Sequence, residues 1–179
     1  MKNKKFDINL IVAISLNHCI GKNGGIPFHS SKDLKHFKEI TMGNVLIMGR
    51  RTFESLPPSK LPGRDKIVIS SNPYYKPVLP NGEKVVVVPS LEEAIKLYNA
   101  WHFHEGGLKP CKSLFIIGGG MVYKEALDKG LVDRIYLTII NQEVQDGDTF
   151  FPVLDQNIWD IVDEEFFADG FFQILEKNN

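Results

Sequence analysis

Cysteine is scarce in this 179-residue sequence: only Cys19 and Cys111 occur, too few for a disulfide framework and suited to a reducing compartment. Charge of one sign is also lacking. Twenty-one Lys and Arg against 22 Asp and Glu leave a formal net charge of −1, so the chain as a whole has no pull toward nucleic acid or an anionic membrane. No apolar run reaches the roughly 20 residues that cross a bilayer. Gly-x-Ser-x-Gly, His-Glu-x-x-His and Cys-x-x-Cys are absent, and with them the common hydrolase and metal signatures. Internal repeats, low-complexity tracts and domain linkers are missing too. These gaps exclude a disulfide-stapled secreted module, a spanning protein and a basic nucleic-acid packer, and they predict a cytoplasmic chain without nucleic-acid or membrane partners.

What is present is ordinary globular material: 43% apolar residues, 24% charged residues and twelve Phe, enough for a sizeable core in one domain over residues 1–179. Residues 1–7 read as a flexible extension. Met1 to Lys5 followed by the apolar run Ile8–Leu16 imitates a signal peptide, but Asp7 and Asn9 interrupt it, and Leu16-Asn17-His18 lacks the small residues of a cleavage site. The run is therefore expected to be a first strand, Ile8–Ser15, buried on both faces.

Strands and helices then alternate. Residues 16–30 form a long loop with three glycines, and long loops in compact domains usually have a function. A helix is expected from Ser31, with Leu34, Phe37 and Ile40/Thr41 on one face and Gly43 as its stop. Strands follow at 44–48, 66–70, 85–88, 113–117 and 134–140, with a short helix at 51–56 and a helix at 121–129. Ser90-Leu-Glu-Glu93 is a capping box opening a helix to about residue 104. The tail, 159–167 and 171–176 around Asp169-Gly170, reads as a hairpin. The pattern predicts an α/β fold: a mostly parallel sheet covered on both faces, with an antiparallel C-terminal edge.

Three segments could carry chemistry. In SLFIIGGGMVYKEAL (113–127) a strand, a triple glycine and a helix bring backbone N–H groups close to where a phosphate could sit; a tight turn explains it equally well. It is not Gly-x-Gly-x-x-Gly, because Tyr123 stands at the third glycine's place. In IMGRRTFESL (47–56) two arginines sit at a helix start, where cations oppose the macrodipole unless an anion is bound; a solvated pair is the alternative. Asp33, in the first turn after the long loop, is what the helix dipole alone would favour. His102 and His104 lack a third ligand at suitable spacing, so no metal is expected. His18 and His36 stand singly, and Asp163-Glu164-Glu165 reads as an exposed strand end.

Taken in order, these segments resemble the dihydrofolate reductases from about Ile8 to Glu176. INLIVAISLNHCIGKNGGIPF, KDLKHFK, VLIMGRRTFESL, LPGR (61–64), FIIGGGMVY, IYLT (135–138) and GDTFFP (147–152) carry the resemblance, and their order is more specific than any single motif. It implies an eight-stranded, mostly parallel sheet with about four helices, and NADPH-dependent reduction of 7,8-dihydrofolate to tetrahydrofolate by a monomer that antifolates inhibit. By the same resemblance Asp33 is the pocket acid that grips the pterin, with Thr138 hydrogen-bonded nearby. Ile11, Leu34, Phe37, Leu56, Leu61 and Ile117 would wall the pterin and p-aminobenzoyl rings, and Arg64 would clamp the glutamate tail. Ala13, Ile20 and Gly21 would meet the nicotinamide side. Thr52 and Gly118, Gly119, Gly120, Met121 and Val122 would cradle the pyrophosphate, with Gly49, Arg51 and Tyr123 also among the cofactor-binding residues. Arg50, Ser70 and Ser71 would hold the 2′-phosphate of NADPH. The family also carries a cis peptide at the position of Gly118-Gly119.

The resemblance further implies that loop 16–30 closes over the nicotinamide, with Ile26 and Phe28 at its base and Asp148 holding it through backbone amides. Asp33 would orient the substrate and support protonation of its N5, with water as the immediate donor. Some positions depart from the family. Phe28 stands where a Trp is usual, removing an indole N–H near the acid. Ile26 replaces a common Met or Leu, and LPPSKLPGR carries one extra residue around 57–60. Two rivals remain: a pyrimidine reductase of riboflavin synthesis, which shares the fold and NADPH, and a non-catalytic nucleotide-binding module.

Overall fold

The computed structural model describes residues 6–56, 61–79, 85–103 and 113–178. Ten strands and four helices occur among them. In chain order they are β1 (Ile8–Ser15), β2 (Cys19–Gly21), α1 (Ser31–Thr41), β3 (Val45–Gly49), α2 (Arg50–Ser55), β4 (Asp65–Ile69), β5 (Val85–Val88), α3 (Leu91–Phe103), β6 (Leu114–Ile116), α4 (Gly120–Asp128), β7 (Arg134–Ile140), β8 (Thr149–Phe150), β9 (Trp159–Phe167) and β10 (Gly170–Lys177).

Eight strands form one sheet in the order β5-β4-β3-β6-β1-β7-β10-β9. The first six run parallel, and β10 and β9 join as an antiparallel hairpin on β7. This is the expected α/β architecture, and its centre is β1, buried almost throughout as its unbroken apolar run requires. Because side chains alternate across a strand, β1 feeds two cores. Leu10, Val12 and Ile14 pack with Ile47, Ile116 and Ile135 under α3 and α4. On the opposite face Ile11 joins Leu46, Met48, Phe53, Leu61, Phe115 and Ile117, with Phe37 and Ile40 of α1 packed against them.

Element ends follow local chemistry. Ser30 caps α1, its hydroxyl accepting from the Asp33 N–H at 3.3 Å, and Gly43 ends the helix region at φ +76°. Ser90 caps α3 by accepting from the Glu93 N–H at 3.2 Å, whereas the Glu93 carboxylate accepts from Lys96 at 2.6 Å. Of the expected N-terminal extension, residues 1–5 lie outside the described residues, and Phe6 packs edge-on against Tyr98 at 4.6 Å. The extra residue near 57–60 and the histidine at 104 also lie outside them.

Loop 16–30 differs from its expected form. It contains β2, paired antiparallel with β8 in a separate two-stranded ribbon. Strands of three and two residues are too short to show any hydrophobic period, so neither was legible. The acidic cluster Asp163-Glu164-Glu165 is exposed as expected but lies inside β9, not at its end.

Hairpin closure is sterically tight. A Cβ on Gly170 would sit 2.2 Å from the Ile139 carbonyl oxygen and 3.0 Å from the Phe167 ring. Gly170→Ala is expected to destabilise the fold by about 2 kcal/mol, read as a lower urea midpoint with an unchanged m-value. An unchanged midpoint would mean that β10 can shift away from β7 at no cost.

Candidate active site

In an open α/β sheet the carboxyl ends of the strands, beside the point where the order reverses, form the natural ligand crevice. Here those ends present Ala13 from β1, Gly49 from β3, Ser70 after β4, Ile117-Gly118 after β6 and Thr138 from β7. Ala13 lies directly across from Thr138, and Thr138 across from Phe172. Asp33 reaches this row from the first turn of α1, its backbone N–H held by Ser30.

The Asp33 carboxyl accepts a hydrogen bond from the Thr138 hydroxyl, which is itself 2% exposed. Burial pushes the Asp33 carboxyl above its ordinary range; the Thr138 hydroxyl and then His36 pull it back, and Asp169 pushes it further up. Asp33 also acts on Tyr123, whose buried hydroxyl is driven far up, first by burial and then by that charge. The Tyr123 hydroxyl donates to the Ile11 carbonyl at 2.8 Å, and its ring packs edge-on against Phe151. Tyr123 is thus buried beneath the glycine turn: a Cβ on Gly118 would lie 3.2 Å from its ring.

Five of the six expected ring-wall residues, Ile11, Phe37, Leu56, Leu61 and Ile117, fall in the one apolar cluster beneath α1. The sixth, Leu34, is half exposed on the open side of the helix. Arg64 is buried: it donates to the Thr41 hydroxyl at 3.2 Å and to the Pro62 carbonyl, and its guanidinium lies over the Phe37 ring at 5.8 Å. Thr41 completes that link by donating to the Phe37 carbonyl. This support of Arg64 by Thr41 was not legible, since 23 residues separate them.

Across the crevice the peptide Gly118-Gly119 is cis, as the resemblance implied, and Gly118 adopts φ +117°. A Cβ on Gly119 would lie 2.9 Å from the Thr52 hydroxyl oxygen, and one on Gly49 would lie 3.3 Å from Val122. Only side-chain-free backbone lets these segments approach, and the Gly49 N–H donates to the Gly118 carbonyl at 2.8 Å. The starts of α2 and α4 converge there. Neither has a side-chain cap or an acid in its first turn, in contrast to α1. Two uncapped helix starts leave N–H donors for an anion, which fits a dinucleotide pyrophosphate. Met121 is almost fully exposed beside this cradle.

Further along the carboxyl edge, a groove of about 470 Å³ is lined by Ser70, Ser71, Asn72, Tyr75, Lys76 and Val87, among others. Arg50 flanks it: the guanidinium lies 5.4 Å from the Tyr75 ring centroid and pairs with Glu54 at 3.5 Å. Arg51 is exposed.

The loop over the crevice is held by Asp148. One carboxylate oxygen accepts from the Asn23 N–H at 2.6 Å, the other from the Thr149 hydroxyl at 2.8 Å, and the Asp148 N–H donates to the Gly21 carbonyl. The Thr149 hydroxyl, then the Asn23 amide, hold this carboxyl below its ordinary range. Ile20 packs partly on the first core, Ile26 is exposed and Phe28 is half-buried. Among the described residues no group of His, Cys, Asp and Glu side chains could hold a metal, and no helix is long and apolar enough to cross a membrane. His36, which stands singly in the sequence, stacks its ring on Phe172.

The profile of the dihydrofolate reductase family matches residues 7–173. The chain is 44% identical over 145 residues to dihydrofolate reductase type 3 of Salmonella typhimurium, covering 81% of this chain and 78% of that one. It is 35% identical to the dihydrofolate reductase of Bacillus subtilis, over 96% and 95% of the two chains. Among solved structures, dihydrofolate reductase from Enterococcus faecalis complexed with NADP(H) and RAB-propyl superposes with a TM-score of 0.77 at 32% identity, covering 97% of each chain.

Burial of Asp33 has a consequence for stability. With its folded-state pKa raised, the native protein holds a proton that the unfolded chain has already released. Stability therefore falls as pH rises from the ordinary carboxylate range through the raised value, and the cost is complete above it. Asp33→Asn is expected to be more stable than the parent at about pH 8, with the gain disappearing at about pH 3.5 where both forms are uncharged. Urea midpoints across that range measure it; a variant less stable at neutral pH would mean that Thr138, not burial, dominates.

Proposed function

The chain belongs to the dihydrofolate reductase family, and from that premise we propose how its residues divide the work. The protein is an oxidoreductase that reduces 7,8-dihydrofolate to 5,6,7,8-tetrahydrofolate with NADPH. The observation that carries the assignment of roles is the Asp33–Thr138 pair, withdrawn from water at the carboxyl ends of the strands that also present the glycine turn.

Asp33, ionised, accepts from the pterin's 2-amino group and N3, while Thr138 fixes the carboxyl's orientation. Ile11, Phe37, Leu56, Leu61 and Ile117 enclose the flat rings, with Leu34 closing the open side. Arg64 presents its planar fork to the α-carboxylate of the glutamate tail, and Thr41 and the Phe37 ring brace it. Gly49, Thr52 and Gly118 to Val122 offer the pyrophosphate a close backbone and two helix starts. Arg50, Ser70 and Ser71 provide the anion site for the 2′-phosphate at the groove's end.

When bound, NADPH supplies the reducing equivalent for C6 of the pterin. Ala13 and Ile20 would hold the nicotinamide side of the cofactor, orienting it toward the pterin pocket. The Asp33 charge favours a proton at N5, delivered by water, and so avoids building negative charge on the ring. The loop latched by Asp148 keeps bulk water from the stack. The same pocket would take antifolates, and the enzyme is read as a cytoplasmic monomer. The pyrimidine reductase and the non-catalytic module are not favoured, because the named relatives are dihydrofolate reductases.

Dihydrofolate-dependent loss of the NADPH absorbance tests the activity directly; its absence from pure, folded protein would refute it. Asp33→Asn is expected to bind NADPH within about twofold of the parent. It should lose about two to three orders of magnitude in turnover at neutral pH and recover part of this in acid, where the substrate protonates itself. An unchanged pH profile would remove Asp33 from this role. Arg50→Ala is expected to weaken NADPH by about 10- to 100-fold but NADH by no more than about threefold. Equal losses measured by fluorescence titration would place the 2′-phosphate elsewhere.

A further inference from the structure

Four neighbouring strands place Ala13, Thr138, Phe172 and Glu165 side by side: Ala13 opposite Thr138, Thr138 opposite Phe172, and Phe172 opposite Glu165. The first turns of α1 lie along this row. Asp33 meets Thr138, and His36 lies flat on Phe172 with ring centroids 3.8 Å apart and planes 15° apart. Lys32 reaches over the same phenyl ring, 5.9 Å from its centroid, and pairs with Glu165 at 3.2 Å. Residues three apart on a helix are neighbours, their Cβ atoms about 5–6 Å from each other. A stacked imidazole cannot swing out to solvent without breaking that contact, so its charge is delivered at one place. That place is near enough to the Asp33 carboxyl for the two charges to act on each other.

We propose that His36 is a positioning residue for Asp33: pinned on Phe172 one turn along α1, it gains a proton as the medium is acidified and so keeps Asp33 a carboxylate where the apolar pocket alone would neutralise it. This rests on Asp33 being the pterin-binding acid.

The surrounding charges agree. Burial drives the imidazole below its ordinary range; Asp33, Glu165 and Glu39 draw it back up, and Lys32 pushes it down. Asp33 moves the other way, upward through burial, with His36 among the groups that oppose the shift. The two titrations are thereby brought toward each other, and groups that titrate together share their protons as a pair. Lys32 is partly neutralised by Glu165, which weakens its opposition to an imidazolium. Asp169, at the β9–β10 turn, repels the Asp33 charge and makes a compensating cation more useful.

The test is a titration of the full-length protein by NMR, following the Asp33 carboxyl carbon and the His36 ring C–H. In His36→Phe, which keeps a ring on Phe172 but carries no proton, the Asp33 midpoint is expected to rise by about half a pH unit or more, less at high salt. The acid end of the kcat profile should move with it, while KM for dihydrofolate at neutral pH stays within about twofold. A midpoint that does not move would overturn the proposal and leave His36 a packing residue. Should His36→Phe fail to fold, Asp33→Asn serves instead: the His36 midpoint must fall when the neighbouring charge is removed, and an unaltered midpoint would equally overturn it. The two NMR midpoints do not depend on turnover. Normal activity in Asp33→Asn would sink the functional reading, whereas the absence of coupling would sink only this one.

Discussion

A carboxyl group held out of water beneath a helix is the constraint around which this molecule is arranged. Moving a charged carboxylate into an apolar setting costs several kcal/mol (~) unless hydrogen bonds or opposite charges offset it. Asp33 has one neutral hydroxyl from Thr138 and the nearby His36 to do so. Its position is fixed from both sides. Ser30 holds the helix start by its own side chain, and β7 holds Thr138 between β1 and β10. Thr138 cannot retreat without opening the sheet, because β7 is paired on both sides.

The opposite wall of the crevice depends on the absence of side chains. Gly49 ends β3 and Gly119 precedes α4; a methyl group on Gly119 would strike Thr52. The resulting closeness aims two helix starts at one spot, and both lack the caps that would otherwise consume their N–H donors. An apolar wall with a buried acid on one side and an anion cradle on the other suits a substrate and a cofactor that must lie face to face. The family to which the chain belongs does that chemistry. The ribbon of β2 and β8 is joined to the loop before α1 by few atoms, chiefly the Asp148 carboxylate and the Asn23 amide.

Much of this was legible before any coordinates. The apolar run Ile8–Ser15 announced a strand buried on both faces, Arg134–Ile140 a further strand, and the alternation of strands with helices implied the parallel sheet. The cis bond at Gly118-Gly119 and the Asp33–Thr138 pairing came from the ordered motifs, not from periodicity, which cannot join residues 105 positions apart in the chain (138 − 33). Two short strands escaped because a period needs length to register. The support of Arg64 by Thr41 and the stacking of His36 on Phe172 escaped because each joins segments that only folding brings together.

Sequence alone determined the element types, the two-faced first strand and the glycines of the turn after β6, since each depends on local backbone preference or on motif order. Tertiary structure alone decided how far Asp33 is removed from water, which charges reach it, and that a histidine with no distinguishing signal lies against Phe172. Burial and electrostatic coupling are set by distances through space, and those distances exist only once the hairpin has closed against β7.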